Sequence, residues 1–257
     1  VRTSPRRGST WECGITTVPK RVLDGTLYAT LNSLENAGIP KPRIFVDGSI
    51  PLVIQSDILT QKGYALSYRN DPLQVAGNWW LSIWELYLRN PYAHLYAMFQ
   101  DDITLCKNLR SYIETNPDLY QDNVYLNLFT DSINTERLPR GYNGWIHAQA
   151  KGRGALALIF THKVLQKLLQ SPHMVDRFMD AQTGRYKLPR RMRSVDGGIW
   201  NSLDKAGIKE MVHLPSLVQH TGKISTVEPL HNNQPDAPTY VGEDFDMRHF
   251  KPTSIPT

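Results

Sequence analysis

The residues of this 257-residue chain with the clearest chemical potential are Gln100-Asp101-Asp102, which follow the apolar run HLYAMF at 94–99. Two adjacent carboxylates repel each other unless a positive charge compensates them. A divalent cation would do so, because hard oxygen ligands suit magnesium or manganese, and a metal held by one or two protein groups keeps room for phosphates. Strand alternation puts residues 100 and 102 on one side and Asp101 on the other, so that one carboxylate reaches a metal while Gln100 reaches a neighbouring ribose. The plainer alternative is a solvated turn, or a cap before a helix over residues 105–113.

An acidic pair acts only if a fold presents it, and the apolar runs predict one. Residues 11–18 read as a strand closed by Pro19, and Val22, Leu23, Leu27, Thr30, Leu31 and Leu34 recur at helical spacing until Gly38 stops the helix. RIFVD at 43–47 is the next strand, and strand-helix-strand at this length implies a parallel pair joined by a right-handed crossover. An aromatic-rich helix over 78–89 (NWWLSIWELYLR) leads into the strand that ends at the acidic pair. Further strands are expected at 124–129 and 155–160, the second followed by a helix that Thr161 caps and that runs to about Gln170. Residues 196–206 read as a helix and 212–218 as the last strand. The expectation is a single α/β domain over 11–226, Rossmann-like, with a mixed, mostly parallel sheet flanked by helices, a basic leader at 1–10 and an irregular, loosely packed tail at 227–257. Ligands of such sheets sit beyond the carboxyl ends of the strands, which directs attention to residues 17–21, 47–48 and 100–102. Trp79, Trp80 and Trp84 at helical spacing are core residues, whereas Trp145 in GYNGW is expected in a loop between strands, where its ring can stack on a sugar or base.

Taken in order, TTVPKR, IFVDG, LYAMFQDD, GRGALALIF, SVDGGIW and LVQHTG resemble the nucleotide-sugar-dependent glycosyltransferases of the GT-A fold. In that family the acidic motif after the central strand, usually Asp-x-Asp or a Glu-Asp-Asp variant, holds manganese on the donor diphosphate. Gln100 departs from the acidic pattern, so the resemblance transfers the metal-ligand role to Asp102 and leaves Gln100 and Asp101 beside the donor. It further implies that His220 completes the metal shell and that Thr16, Thr17, Arg21 and Asp47 border the nucleotide. Asp196 matches the general base of inverting members, which takes the acceptor hydroxyl proton while the metal neutralises the departing nucleoside diphosphate. The implied cofactor is Mn2+ or Mg2+ and the implied donor a UDP-sugar. Each residue also has a plainer reading: His220 as a loop or core histidine, Asp47-Gly48 as an ordinary turn, and Asp196 as a helix cap. Gly152 and Gly154 fit either a close backbone approach to donor or acceptor, or a turn into ALALIF.

Charge bears on the acceptor. Lys and Arg number 29 against 24 Asp and Glu, a net charge of +5 with a pI near 9.1, which mildly favours a polyanionic partner. Arg185, Lys187, Arg190, Arg191 and Arg193 crowd the stretch before Asp196. A solvated face explains such a run, yet with Arg2, Arg6 and Arg7 it can cradle phosphates. Candidate acceptors are therefore a glycan or lipid-linked saccharide, or a hydroxymethylated base in duplex DNA of the sort certain bacteriophage enzymes glycosylate. The basic, cysteine-poor chain without a signal peptide tips the expectation to DNA, with Trp145, Arg190 and Arg191 on the acceptor side and a cytoplasmic setting (host cytoplasm for a viral protein). A non-catalytic nucleic-acid-binding domain is the competing class, and a nucleotidyltransferase is disfavoured because such sites gather more carboxylates around two metals. Cys13 and Cys106 make neither a disulfide framework nor, alone, a structural zinc site. No apolar run approaches the roughly 20 residues that span a bilayer, and a chain beginning at Val1 leaves an upstream leader or anchor open.

Overall fold

A computed structural model describes residues 9–48, 56–137, 140–172, 195–222 and 236–253. In chain order these hold β1 (Trp11–Thr17), α1 (Pro19–Leu23), α2 (Thr26–Asn36), β2 (Arg43–Asp47), α3 (Ser56–Gln61), β3 (Leu66–Arg69), α4 (Gln74–Arg89) and β4 (Leu95–Gln100). There follow β5 (Ile103–Leu105), α5 (Leu109–Glu114), β6 (Val124–Asn127), α6 (Ser132–Arg137), β7 (Gly144–His147), β8 (Ala157–Thr161), α7 (His162–Leu169), α8 (Val195–Lys205), β9 (Lys209–Leu214) and β10 (Val218–His220).

Eight strands form one sheet in the order β3-β2-β1-β4-β8-β6-β9-β7. β1 to β4 are mutually parallel, β6 and β9 are parallel, and β8 and β7 run against their neighbours. This is the mixed, mostly parallel sheet that the strand-helix-strand order predicts. A small second sheet pairs β5 with β10, antiparallel, and sets His220 opposite Ile103.

Alternation along β4 divides the core between the two faces of the sheet. Leu95, Ala97 and Phe99 pack with Leu27, Leu31 and Leu34 of α2 and Ile113 of α5, while Tyr96 and Met98 pack with Trp79, Ile83 and Leu86 of α4 and Leu165 of α7. A strand covered on both faces must be apolar throughout, which is why this one is so plain in the sequence. Trp79 and Trp80 are buried core residues, as their spacing predicts.

Several expected boundaries differ. The helix read from Val22 to Ala37 is two helices, because Gly25 takes φ 86° between them and Asp24 turns back to accept from the Thr26 amide and hydroxyl at 3.0 and 2.6 Å. The helix expected over 105–113 begins as β5, since β10 pairs with it, and only 109–114 is helical. The last strand read over 212–218 is β9 and β10, separated at Pro215. Trp145 lies on the edge strand β7 rather than in a loop, with Trp145 opposite His213 of β9. Residues 236–253, expected as a loose tail, are fastened to the domain: Ala237 and Met247 have no exposed surface, and the Lys107 amide donates to Glu243 at 3.1 Å. Their polar composition hides isolated apolar anchors without any period. Among the described residues no helix is long and apolar enough to cross a membrane.

Candidate functional site

Where β4 ends, the chain bends at Asp101-Asp102 into β5, and α2 holds the bend. The Thr30 hydroxyl lies 2.8 Å from the Asp101 carbonyl and 3.0 Å from that of Ile103, and accepts from the Ile103 amide at 3.1 Å. One turn on, Ser33 Oγ accepts from the Leu105 amide at 2.9 Å. Both hydroxyl residues are buried within the apolar stripe of α2, where each satisfies backbone groups that would otherwise be orphaned. With the backbone fixed, both acids turn to the β1 side of β4, so Asp102 does not share the side of Gln100 as strand alternation would have it. Asp101 accepts from the Thr17 hydroxyl at 2.5 Å, at the end of β1. Asp102 Oδ2 accepts from Arg21 Nη2 of α1 at 2.8 Å and lies 3.1 Å from His220 Nε2. The pairing of β10 on β5 delivers His220, and the Thr221 amide donates to the Asp102 carbonyl at 2.8 Å. Gly222 closes the group: a Cβ there would sit 2.4 Å from Asp102 Oδ2.

The electrostatics of the pair are unequal. Burial, and then the charge of Asp102, push Asp101 up to about 7 against the Thr17 hydrogen bond. Burial works to raise Asp102 too, but the His220 hydrogen bond and the charges of His220 and Arg21 hold it below the usual carboxylate range. Asp102 Oδ1 is buried and has no hydrogen-bond partner among the described residues. A charged, buried oxygen with open lone pairs beside a histidine is a donor set that fits a divalent cation. Among the described residues no group of three or more His, Cys, Asp or Glu side chains is arranged to hold a metal ion. The chain therefore offers Asp102 and His220, and such an ion would complete its shell with phosphate oxygens and water.

The other candidates make their contacts elsewhere. Gln100 turns to the β8 side of β4, where its side chain donates to the Ala155 carbonyl at 3.3 Å. Thr16 stands opposite Gln100 in the ladder, its hydroxyl 3.5 Å from the Phe99 carbonyl. Asp47 accepts from the Leu73 amide at 2.6 Å and thereby fastens the start of α4. Trp145 packs edge-on to His213, ring centroids 5.0 Å apart. Arg190 and Arg191 lie outside the described residues.

Asp196, in the first turn of α8, reaches across to accept from the Gly154 amide at 2.7 Å. Glu210 of β9 accepts from the Gly152 amide at 2.9 Å and from Asn127 of β6 at 2.8 Å. Burial raises both acids against these hydrogen bonds. Gly152 and Gly154 have φ 64° and 71°, and the close approach at Gly154 is to the Phe129 ring, 2.4 Å from a Cβ built there. A cavity of about 10 Å³, the space of one water, lies beneath, lined by Tyr125, Asn127, Asp196 and Glu210 among others. The structure thus gathers Thr17, Arg21, Asp101, Asp102 and His220 in one cluster and Asp196 in another. Thr30, Asn127, Glu210 and Gly222 escape a reading of the sequence. The available signals are a threonine in the apolar stripe of α2 and a glutamate in phase with buried Val212 on β9.

No family model matches the chain, and no curated protein sequence does. Solved structures do match. S. aureus TarS 1-349 superposes with a TM-score of 0.51 at 11% identity over 82% of this chain and 60% of that one; the longer S. aureus TarS chain gives 0.51 at 11% over 83% and 37%. The chain therefore spans less than two thirds of either. A Bacillus anthracis protein assigned as a glucose-1-phosphate thymidylyltransferase, solved with sucrose, gives 0.46 at 12% over 82% of this chain and 89% of that one. The fold is of the GT-A type. At such identity the likeness is one of architecture, and the chemistry of this GT-A-like domain rests on its own side chains.

Proposed function

We propose that the protein is a metal-dependent glycosyltransferase that moves a sugar from a nucleoside diphosphate, UDP first, to an acceptor hydroxyl with inversion. The observation that supports this most is the buried, unpartnered Asp102 Oδ1 at the carboxyl end of β4, next to His220. A manganese or magnesium ion held by Asp102 and His220 would neutralise the leaving diphosphate. Arg21 adds a fixed positive charge beside Asp102. Thr17 and Asp101 border the same side of β4, where the nucleotide would lie. Asp196, raised by burial, is the acid suited to take the acceptor proton as the sugar carbon is attacked, because a carboxylate of elevated basicity is the better base at neutral pH. For the acceptor, the basic composition and the run containing Arg190 and Arg191 favour a hydroxymethylated base in duplex DNA over a glycan.

The test is a panel of nucleoside-diphosphate sugars with manganese, with hydroxymethylated duplex DNA or oligosaccharides as acceptors, and products read by mass. Nucleoside diphosphate should be released only with a divalent ion present and not by Asp102→Ala. Full activity in excess chelator refutes the metal role. Duplex binding without any thermal shift by UDP plus manganese would instead mark a silent nucleic-acid-binding domain.

A further inference from the structure

Three polar side chains from three elements, two of them buried, converge on one short loop. Glu210 holds the Gly152 amide, Asp196 holds the Gly154 amide, and Asn127 donates to the Arg153 carbonyl at 2.8 Å while also donating to Glu210 Oε1. Glu210 is 4% exposed and Asn127 1%. Burying acids in this way is costly, and an apolar filling of the same volume would stabilise the core as well or better. What apolar residues cannot do is fix the backbone at three successive positions. The bracket does this while the Arg153 side chain stays half exposed at the rim, its Nε 3.9 Å from Asp131. The loop lies at the carboxyl end of β4, since the Gln100 amide donates to the Leu156 carbonyl at 2.8 Å. The groups placed beside the nucleotide, Thr17 and Arg21, gather on the β1 side of β4, and this loop precedes β8 on the other side. A group carried there stands on the opposite side of β4 from Arg21.

Resting on the glycosyltransferase reading, we propose that Glu210 is a positioning residue that holds residues 152–154 so that Arg153 is presented to the acceptor side of the Asp102 site. Glutamine at 210 has the shape of glutamate but one acceptor oxygen, so it must aim an N–H at either Asn127 or the Gly152 amide.

Hydrogen exchange and kinetics on Glu210→Gln, Arg153→Ala and the double variant test this. The Gly152 and Gly154 amides of Glu210→Gln should exchange about tenfold faster or more, with neighbouring strands unchanged. UDP affinity in manganese should hold within about twofold, whereas turnover of the donor identified in the panel should fall about tenfold in each single variant and no further in the double variant. A merely structural glutamate would give multiplied losses. Wild-type exchange or wild-type turnover in Glu210→Gln overturns the proposal. Should that variant not fold, Arg153→Ala, altered at the surface, decides alone: unchanged turnover there overturns it. A wild-type protein inert on every donor sinks the glycosyltransferase reading and the presentation of Arg153 with it, while the exchange data still report whether Glu210 holds the loop.

Discussion

Acidification through the range where histidines ordinarily take up a proton should withdraw one contribution to the stability of this fold, that of His213. The side chain has no exposed surface and sits against the rings of Tyr112, Trp145 and Phe250 at centroid distances of 5.4, 5.0 and 4.8 Å. Nδ1 is 2.6 Å from the Pro215 carbonyl, which only accepts, so Nδ1 carries the proton; Nε2, 2.9 Å from the Tyr112 hydroxyl, then accepts from it. A second proton on Nε2 would oppose that hydroxyl hydrogen and place a charge among aromatic rings. Burial accordingly pushes His213 down from 6.5 to about 4, opposed by the Pro215 hydrogen bond. Between those values the unfolded chain binds the proton and the folded one does not, so stability falls as the pH drops from about 6.5 toward 4 and levels off below. At about 1.4 kcal/mol per pH unit the full effect is about 3 kcal/mol, of which about 2 kcal/mol is gone by pH 5. For a domain of this size the His213 contribution is roughly 4–8 °C of melting temperature between pH 7 and pH 5, and because Asp101, pushed up to about 7, works in the opposite sense, it is read as the difference from a non-titrating variant. His213→Gln keeps one donor and one acceptor but does not titrate, and its melting temperature should lose this part of the pH dependence. Parallel melting curves for the two proteins across pH 5 to 7, or a ring NMR titration with its midpoint near 6.5, would refute the reasoning.

Three further outcomes are expected. Gly222→Ala puts a Cβ 2.4 Å from Asp102 Oδ2 and should weaken the manganese dependence of a UDP thermal shift by about tenfold with little loss of melting temperature; an undiminished shift speaks against Asp102 as the ligand. Asp196→Asn should leave UDP binding intact and cut transfer by a factor on the order of 10², and the wild-type rate should fall on the acid side at a higher pH than an ordinary carboxylate would give, because the base must be deprotonated and burial raises it. Near wild-type transfer in that variant removes Asp196 as base. Neutralising Arg190 and Arg191 should weaken duplex binding several-fold at modest salt and flatten its salt slope, with donor hydrolysis unchanged; if neither binding quantity moves, the run is a solvated face.

The parts of the fold that show in the sequence are those where burial imposes a period. RIFVD coincides with β2, and Thr161 caps α7, its hydroxyl accepting from the Val164 amide at 3.4 Å. β3, β5, β7 and β10 do not show, because strands of three or four residues carry too little period and owe their conformation to a partner far along the chain. For the same reason the proximity of His220 to Asp102 follows from a pairing of two three-residue strands and is invisible without a family resemblance. Glu210 is hidden differently: KEM reads as too charged for a strand, although Glu210 and Val212 share the buried phase of β9. Asp47 and Gln100 show the opposite case. Their position after a strand is visible, but the backbone group each meets, the Leu73 amide or the Ala155 carbonyl, is set by tertiary packing.

The end of β4 separates two electrostatic environments with three consecutive residues. Asp101 and Asp102 face Thr17, Arg21 and His220, and the guanidinium and imidazole keep Asp102 charged even though it is buried. Gln100 faces the other way, toward a loop bracketed by Asp196 and Glu210, whose hydrogen bonds come from neutral amides and whose burial draws both toward holding a proton. A carboxylate that stays ionised suits a cation and the phosphates it carries; one that is drawn toward protonation suits the exchange of a proton with a hydroxyl. The proposed transfer would need both kinds of acid near one reacting carbon, and β8, inserted between β4 and β6, puts the loop held by Asp196 and Glu210 on the other side of β4 from Asp102. On that proposal the sheet order bears on the chemistry: with β6 paired to β4, the glycine loop that leads into β8 would not lie beside Gln100.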